Sequence, residues 1–159
     1  MTNLPPVLYA RDIMTTKLVT LDAETDVFHG IEMLVKYNIS GAPVIDKNRR
    51  LLGVFSEKSC MEVLIDAAYE GLPTNQIGKF MDTDPITIDP GMQVLSIAQI
   101  FLTTPRRRLP VLENETLVGQ VSRRDVIRAA SNLMRLTKDH KKKLLYLSAL
   151  HAIEEVPAV

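Results

Sequence analysis

The apolar positions of this chain alternate between two spacings, and they do so twice. A short β-branched run, "LVTLD" (18–22), has the make-up of a strand and ends on an acidic residue. Helical spacing follows over 26–37, where Val27, Ile31, Leu34 and Val35 fall on one face and leave His29, Glu32 and Lys36 for water. "APVID" and "LLGVFS" then read as two strands of a hairpin about the polar turn "KNRR". Ser56 stands where a helix N-cap is expected before the next apolar run.

The same succession returns from "PITID" (85–89) onward. It brings helical spacing over 92–103, a hairpin from "LPVLE", "NET" and "LVGQVS", and a second N-cap at Ser122. With Met14 written over Met81, Thr16 falls on Thr83, Thr20 on Thr87, Asp22 on Asp89, Pro43 on Pro110 and Val44 on Val111. A one-residue gap in the first polar tip then aligns Leu51 with Leu117, Gly53 with Gly119 and Ser56 with Ser122. A gap confined to a turn is what a duplicated unit should show.

The pattern therefore predicts an α+β chain of two tandem repeats, each strand, helix, strand, strand, helix, over 10–68 and 77–131. A short extension (1–9) precedes them and a turn-rich linker (69–76) joins them. A repeat of roughly fifty residues buries too little surface alone, so the two are expected to pack sheet against sheet with pseudo-twofold symmetry. Past 131 the pattern changes: Leu133, Leu136, Leu144, Leu147 and Leu150 recur at helical steps, predicting one C-terminal amphipathic helix over 132–156 with no counterpart.

Composition narrows the function. Nineteen basic and nineteen acidic residues give zero formal charge, which argues against a surface built to hold nucleic acid or anionic lipid; the run 141–143 reads as a solvated helix face. A single cysteine, Cys60, excludes an internal disulfide and a multi-cysteine zinc site, and suits a reducing, cytoplasmic setting. No apolar run is long enough to span a membrane, and the prolines and early charge of the first residues read against a signal peptide, so neither is expected. His29, His140 and His151 are scattered, and the glycines make neither a dinucleotide fingerprint nor a phosphate loop. No catalytic, cofactor or metal role is expected.

The stretches "DIMTTKLVTLD", "ISGAPVID", "LLGVFSEKS", "KFMDTDPITIDPG", "RRLPVLE" and "LVGQVSRRD" together resemble the paired cystathionine β-synthase (CBS) domains, or Bateman module, over about residues 10–131. That resemblance implies a regulatory module that binds an adenosine-containing ligand (AMP, ADP, ATP or S-adenosylmethionine) in clefts between repeats. It also implies a homodimer.

The two repeats differ at one telling place. "GQVSRRD" (119–125) ends on Asp125, whereas "GVFSEKS" (53–59) ends on Ser59. On the residues alone, SxxD before an apolar run is a capping box in which Ser122 and Asp125 satisfy each other's backbone. A carboxylate can also accept hydrogen bonds from both hydroxyls of a ribose, and the resemblance assigns ribose to Asp125. If a charged hydrogen bond contributes about 1.5–3 kcal/mol and a neutral one about 0.5–1.5, the serine copy should bind about tenfold more weakly or not at all.

The preferred site is thus expected around repeat 2. It comprises Asp125 and Ser122, Arg123 at the helix start and Arg108 of the arginine triplet for phosphate, Ile86 and Thr87 on the first strand, and Leu109 and Pro110, which the resemblance implies border the base. A weak or empty counterpart is expected around repeat 1, from Thr20, Ala42, Pro43, Ser56, Ser59 and Lys58, with Glu57 adding unfavourable charge. The alternative is a ligand-free dimerisation and protein-interaction module acting through the C-terminal helix. Asp125 would then be only a cap.

Overall fold

A computed structural model of the chain describes residues 7–71, 75–136 and 147–148. A single-turn helix, α1 (Ala10–Ile13), leads into the first repeat, which contains α2 (Val27–Lys36), β1 (Gly41–Ile45), β2 (Leu51–Ser56) and α3 (Glu57–Glu70). A 3-10 turn (Ile77–Lys79) opens the second, followed by α4 (Val94–Thr103), β3 (Arg108–Glu113), β4 (Thr116–Ser122) and α5 (Arg123–Leu136). Each hairpin is antiparallel, and each register shifts at the same point, between Val44 and Ile45 and between Val111 and Leu112. Asp26 caps α2 by accepting from Phe28 N–H at 2.9 Å.

The hairpin tips account for the single gap between the repeats. Asn114 and Glu115 have φ of 49° and 65°, the two left-handed residues of a tight two-residue turn. In the first hairpin, Asp46 accepts from the N–H groups of Asn48 (2.8 Å) and Arg50 (2.9 Å), a longer tip that needs one more residue. The hairpins meet where Leu117 N–H donates to the Arg49 carbonyl at 3.0 Å and Arg50 bridges Thr116.

Two expectations change on inspection. The runs 18–22 and 85–89 pair with the hairpins at one parallel bridge each, Leu21 with Val44 and Ile88 with Val111. The ladder stops because the next bond would need an N–H from Pro43 or Pro110, and proline has none. Val35 lies outside the apolar face of α2 and is 76% exposed. That face is carried by Val27, Gly30 and Leu34, and a Cβ at Gly30 would come within 2.7 Å of Ile77 Cδ1, so the bare glycine is what admits Ile77.

Ile77 marks the main tertiary event, an exchange of leading segments. Ile77, Phe80 and Met81 belong to the core of the first repeat with Leu21, Val27, Val44, Phe55 and Val63. Reciprocally, Ala10, Ile13 and Met14 belong to the core of the second, with Ile88, Ile97, Leu109, Val111 and Val121. The backbone follows suit: Ala10 N–H donates to the Met92 carbonyl (2.8 Å), and Ile77 N–H to that of Thr25 (2.9 Å).

Gly53 and Gly119 sit at the two crossings. A Cβ at Gly53 would lie 2.5 Å from the Asp82 carbonyl oxygen, and one at Gly119 2.7 Å from Met14 Sδ. Helix α5 continues without a break from 123 through 131 to 136. Leu133 is half-buried on it, and Leu147 is helical and exposed. Leu144, Leu150 and the Leu136 side chain lie outside the described residues.

Candidate ligand-binding cleft

The beginning of α5 carries the box expected of Ser122 and Asp125. Ser122 donates to Asp125 Oδ2 from both its N–H and its Oγ, each at 2.8 Å, and Asp125 N–H donates back to Ser122 Oγ at 3.3 Å. Only 11% of the Asp125 side chain is exposed, and Oδ1 has just a 3.5 Å contact with Arg128 Nη1. One carboxylate oxygen therefore makes the cap, while the other keeps most of its accepting capacity.

The first repeat builds the same box without charge. Ser56 N–H donates to Ser59 Oγ at 3.2 Å and Ser59 N–H to Ser56 Oγ at 3.4 Å, with Ser59 buried. Capping thus needs only one oxygen at this position.

Asp125, Ser122, Arg108 and Gln120 form one wall of a cleft of about 200 Å³. The facing wall comes from the first repeat: residues 17–19, Ile39, Gly41 and Pro43. Thr15 joins the walls, donating from N–H to the Gln120 carbonyl at 2.9 Å and accepting from Gln120 N–H at 3.0 Å. Enclosing pockets for drug-sized ligands run to roughly 300–1,000 Å³, so an occupant of nucleotide size would extend from this cleft toward solvent.

The wall partners differ from the expected grouping. Pro43, expected beside Ser56 and Ser59, lines the cleft of Asp125; Thr20 adjoins its strand wall, and buried Ala42 lies between Gly41 and Pro43. Ile86, Thr87, Leu109 and Pro110 do not line it. By the repeat alignment they are the second-repeat counterparts of Val19, Thr20, Ala42 and Pro43. The exchanged segments are the reason: Thr15 pairs with Gln120 while Asp82 pairs with Val54, so each leading strand faces the other repeat's hairpin and helix start. Lys17, Leu18, Val19, Ile39 and Gly41 complete the wall; they lie in the stretches "DIMTTKLVTLD" and "ISGAPVID" but are not among the residues expected at the site.

The arginine triplet is not a free loop. Arg106 forms an ion pair with Asp82 and donates to the Asp84 carbonyl at 3.4 Å. Arg107 pairs loosely with Glu57 at 3.8 Å on the surface. Arg108, half-buried, donates from Nε to Ser40 Oγ at 3.2 Å. Burial pulls its guanidinium below the usual range, opposed by the charges of Asp125 and Glu57. Arg123 turns back onto α4, over the Phe101 ring and toward its carbonyl at 3.4 Å. Lys58 acts electrostatically on Asp82.

Cys60 is buried, and that burial, followed by the charge of Glu57, raises its thiol above the ordinary value. Among the described residues there is no helix long and apolar enough to cross a membrane, and no group of side chains suited to a metal ion.

Two α+β repeats, each carrying the other's leading segment in its core and with a cleft between them, define a tandem-repeat pair. The CBS domain family model matches residues 10–66 and 77–132, and the chain belongs to that family as a CBS pair. Among curated proteins it is 30% identical over 123 residues to the A-adding tRNA nucleotidyltransferase of Geobacter sulfurreducens, matching 77% of this chain but only 13% of that enzyme. Against CBSX2 of Arabidopsis thaliana, solved in complex with AMP, the structure has a TM-score of 0.72 at 28% identity, covering 79% of this chain and 98% of that one. The CBS pair of protein MJ0100, solved with 5′-methylthioadenosine and S-adenosylmethionine, shares the fold at 21% identity, with a TM-score of 0.69 over 80% of this chain and 98% of that one.

Proposed function

We propose that this CBS pair is a regulatory, non-catalytic sensor that binds AMP, ADP, ATP or another adenosyl ligand in the Asp125 cleft and passes its occupancy to a partner protein. The observation that carries this reading is the pair of capping boxes. Ser59 caps α3 with one neutral oxygen, so the charge and second oxygen of Asp125, a residue that lines the cleft, are surplus to capping. The AMP complex of CBSX2 supports the ligand class.

In this reading the ribose hydroxyls donate to Asp125 Oδ1. The base lies between the 17–19 backbone and Ile39 and Pro43, and Lys17 and Arg108 meet the phosphate. Signalling then requires that the ligand bind two arrangements of the repeats unequally. The readout surface would be the exposed apolar stripes, Met61, Leu64, Ile65 and Tyr69 on α3 and Ile127 and Met134 on α5, where a homodimer or a partner protein would dock.

The same stripes favour the second reading, a ligand-free interaction module. Thermal shift with AMP, ADP, ATP and S-adenosylmethionine on the natural protein and on Asp125→Ser separates the two. A ligand at a hundred times its Kd adds about 2.7 kcal/mol, a rise of roughly 5–10 °C for a chain this size. A rise lost in Asp125→Ser supports the sensor. No rise with any ligand leaves the apolar stripes as the functional surface.

A further inference from the structure

The repeat alignment and the backbone pairing place the counterpart of the Asp125 cleft at Ser59, and the residues that would form its walls differ. Thr15, paired with Gln120, corresponds to Asp82, paired with Val54 by two backbone bonds of 2.9 Å. By the same alignment Lys17 becomes Asp84, Ile39 becomes Arg106 and Asp125 becomes Ser59. The apolar position that borders the first cleft therefore carries a guanidinium in the second. That guanidinium is engaged: Arg106 Nη1 donates to Asp82 Oδ2 and Nη2 to the Asp84 carbonyl at 3.4 Å, with only 37% of the side chain exposed. It bridges the two positions that in the first cleft are Thr15 and Lys17. Asp82 is held in turn, accepting from Asp84 N–H at 3.0 Å.

We infer that Arg106 is a built-in occupant of the second cleft, clasped to Asp82 across the wall where a ligand would lie, and that it limits each chain to one adenosyl ligand. The inference rests on the reading of the Asp125 cleft as the ligand site. Two independent barriers then guard the second cleft. Ser59 supplies no carboxylate for a ribose, and Arg106 fills the space beside the strand.

The barriers separate by mutation. Isothermal titration of the full chain with AMP, ADP, ATP and S-adenosylmethionine in turn is expected to give one site per chain for whichever binds. Ser59→Asp alone is expected to leave that count at one, because the clasp remains. Ser59→Asp with Arg106→Ile, which copies the residues of the first cleft, is expected to raise it to two. Two sites in the natural protein, two in Ser59→Asp alone, or one in the folded double variant each overturn the clasp while leaving the Asp125 site standing. No heat from the natural protein with any of the four ligands overturns the site itself, and the clasp with it.

Because Ser59 is buried, a carboxylate there can prevent folding. Guanidinium NMR of the natural protein gives a second reading. With saturating AMP, the Arg108 signal is expected to shift with a single saturable phase and the Arg106 signal to stay fixed. A second saturable phase at Arg106 overturns the inference.

Discussion

The beginnings of α3 and α5 are the same structure made with different chemistry. Both follow a β-strand, both start at a serine whose hydroxyl accepts from the N–H three residues on, and both close the box from that third residue. Ser59 closes it with a hydroxyl and is buried; Asp125 closes it with one oxygen of a carboxylate, lines the cleft between the repeats, and has its other oxygen 3.5 Å from Arg128 Nη1. The comparison separates two explanations of a residue that stay fused in any one copy. What both residues do is structural, and what only Asp125 can do is the candidate for binding.

The strongest way to break this comparison is Asp125→Ser, which makes the two helix starts alike. Ligand affinity is expected to fall at least tenfold, while ligand-free stability changes by less than about 1 kcal/mol, because a hydroxyl can still cap. Calorimetric titration and a urea midpoint without ligand check the two halves. An equal loss in both would make the carboxylate a cap alone.

The glycine crossings sharpen the contrast next. Gly53→Ala sets a methyl against the backbone oxygen of Asp82, which cannot yield without moving the strand, and is expected to cost about 1–3 kcal/mol. Gly119→Ala meets first the flexible end of Met14, so it is expected to cost less, although the Thr15 carbonyl at 3.1 Å sets a limit. Denaturant midpoints of the two variants measure the difference directly.

The clasp predicts a smaller, pH-dependent effect. Burial pushes the Asp82 carboxyl upward, but the hydrogen bonds from Arg106 and Asp84 and the charges of Arg106 and Lys58 together hold it below its ordinary 3.8. A depressed carboxylate contributes stability in full above its unfolded value and loses it as pH falls through the folded value. The stability gap between the natural protein and Asp82→Asn is therefore expected to be constant from neutral pH down to about that ordinary value, and to close below it. Urea midpoints across pH 7 to 3 test the sign. The smallest effect is expected at Arg107→Ala, whose 3.8 Å pair with Glu57 joins side chains that are 74% and 61% exposed. A shift beyond about 0.5 kcal/mol there would give the surface pair a role its exposure does not suggest.

Much of the architecture was legible in the residues taken alone. The repeat, the two hairpins, the gap in a turn and both serine caps are local patterns, each written within a few consecutive positions by side-chain spacing and turn chemistry. The resemblance to CBS pairs followed from the order of those patterns. The strand reading of 18–22 and 85–89 shrank to single bridges because proline at 43 and 110 withholds the next donor, a fact visible in the sequence only once the partner strand is known. Val35 was misplaced because Gly30, which has no side chain to count, turned out to be the residue facing the core.

The sequence by itself determined two copies of one unit, their caps, and the charge difference between Asp125 and Ser59. Only the tertiary structure decided which wall each cap faces. Leading segments cross over, so Asp125 looks across at Pro43 and Ile39 rather than at Pro110, and Arg106 reaches Asp82 in the other cleft. Spacing along a chain reports which face of its own element a residue occupies, and it is silent about pairings between distant segments, which are selected by the mutual burial of two cores.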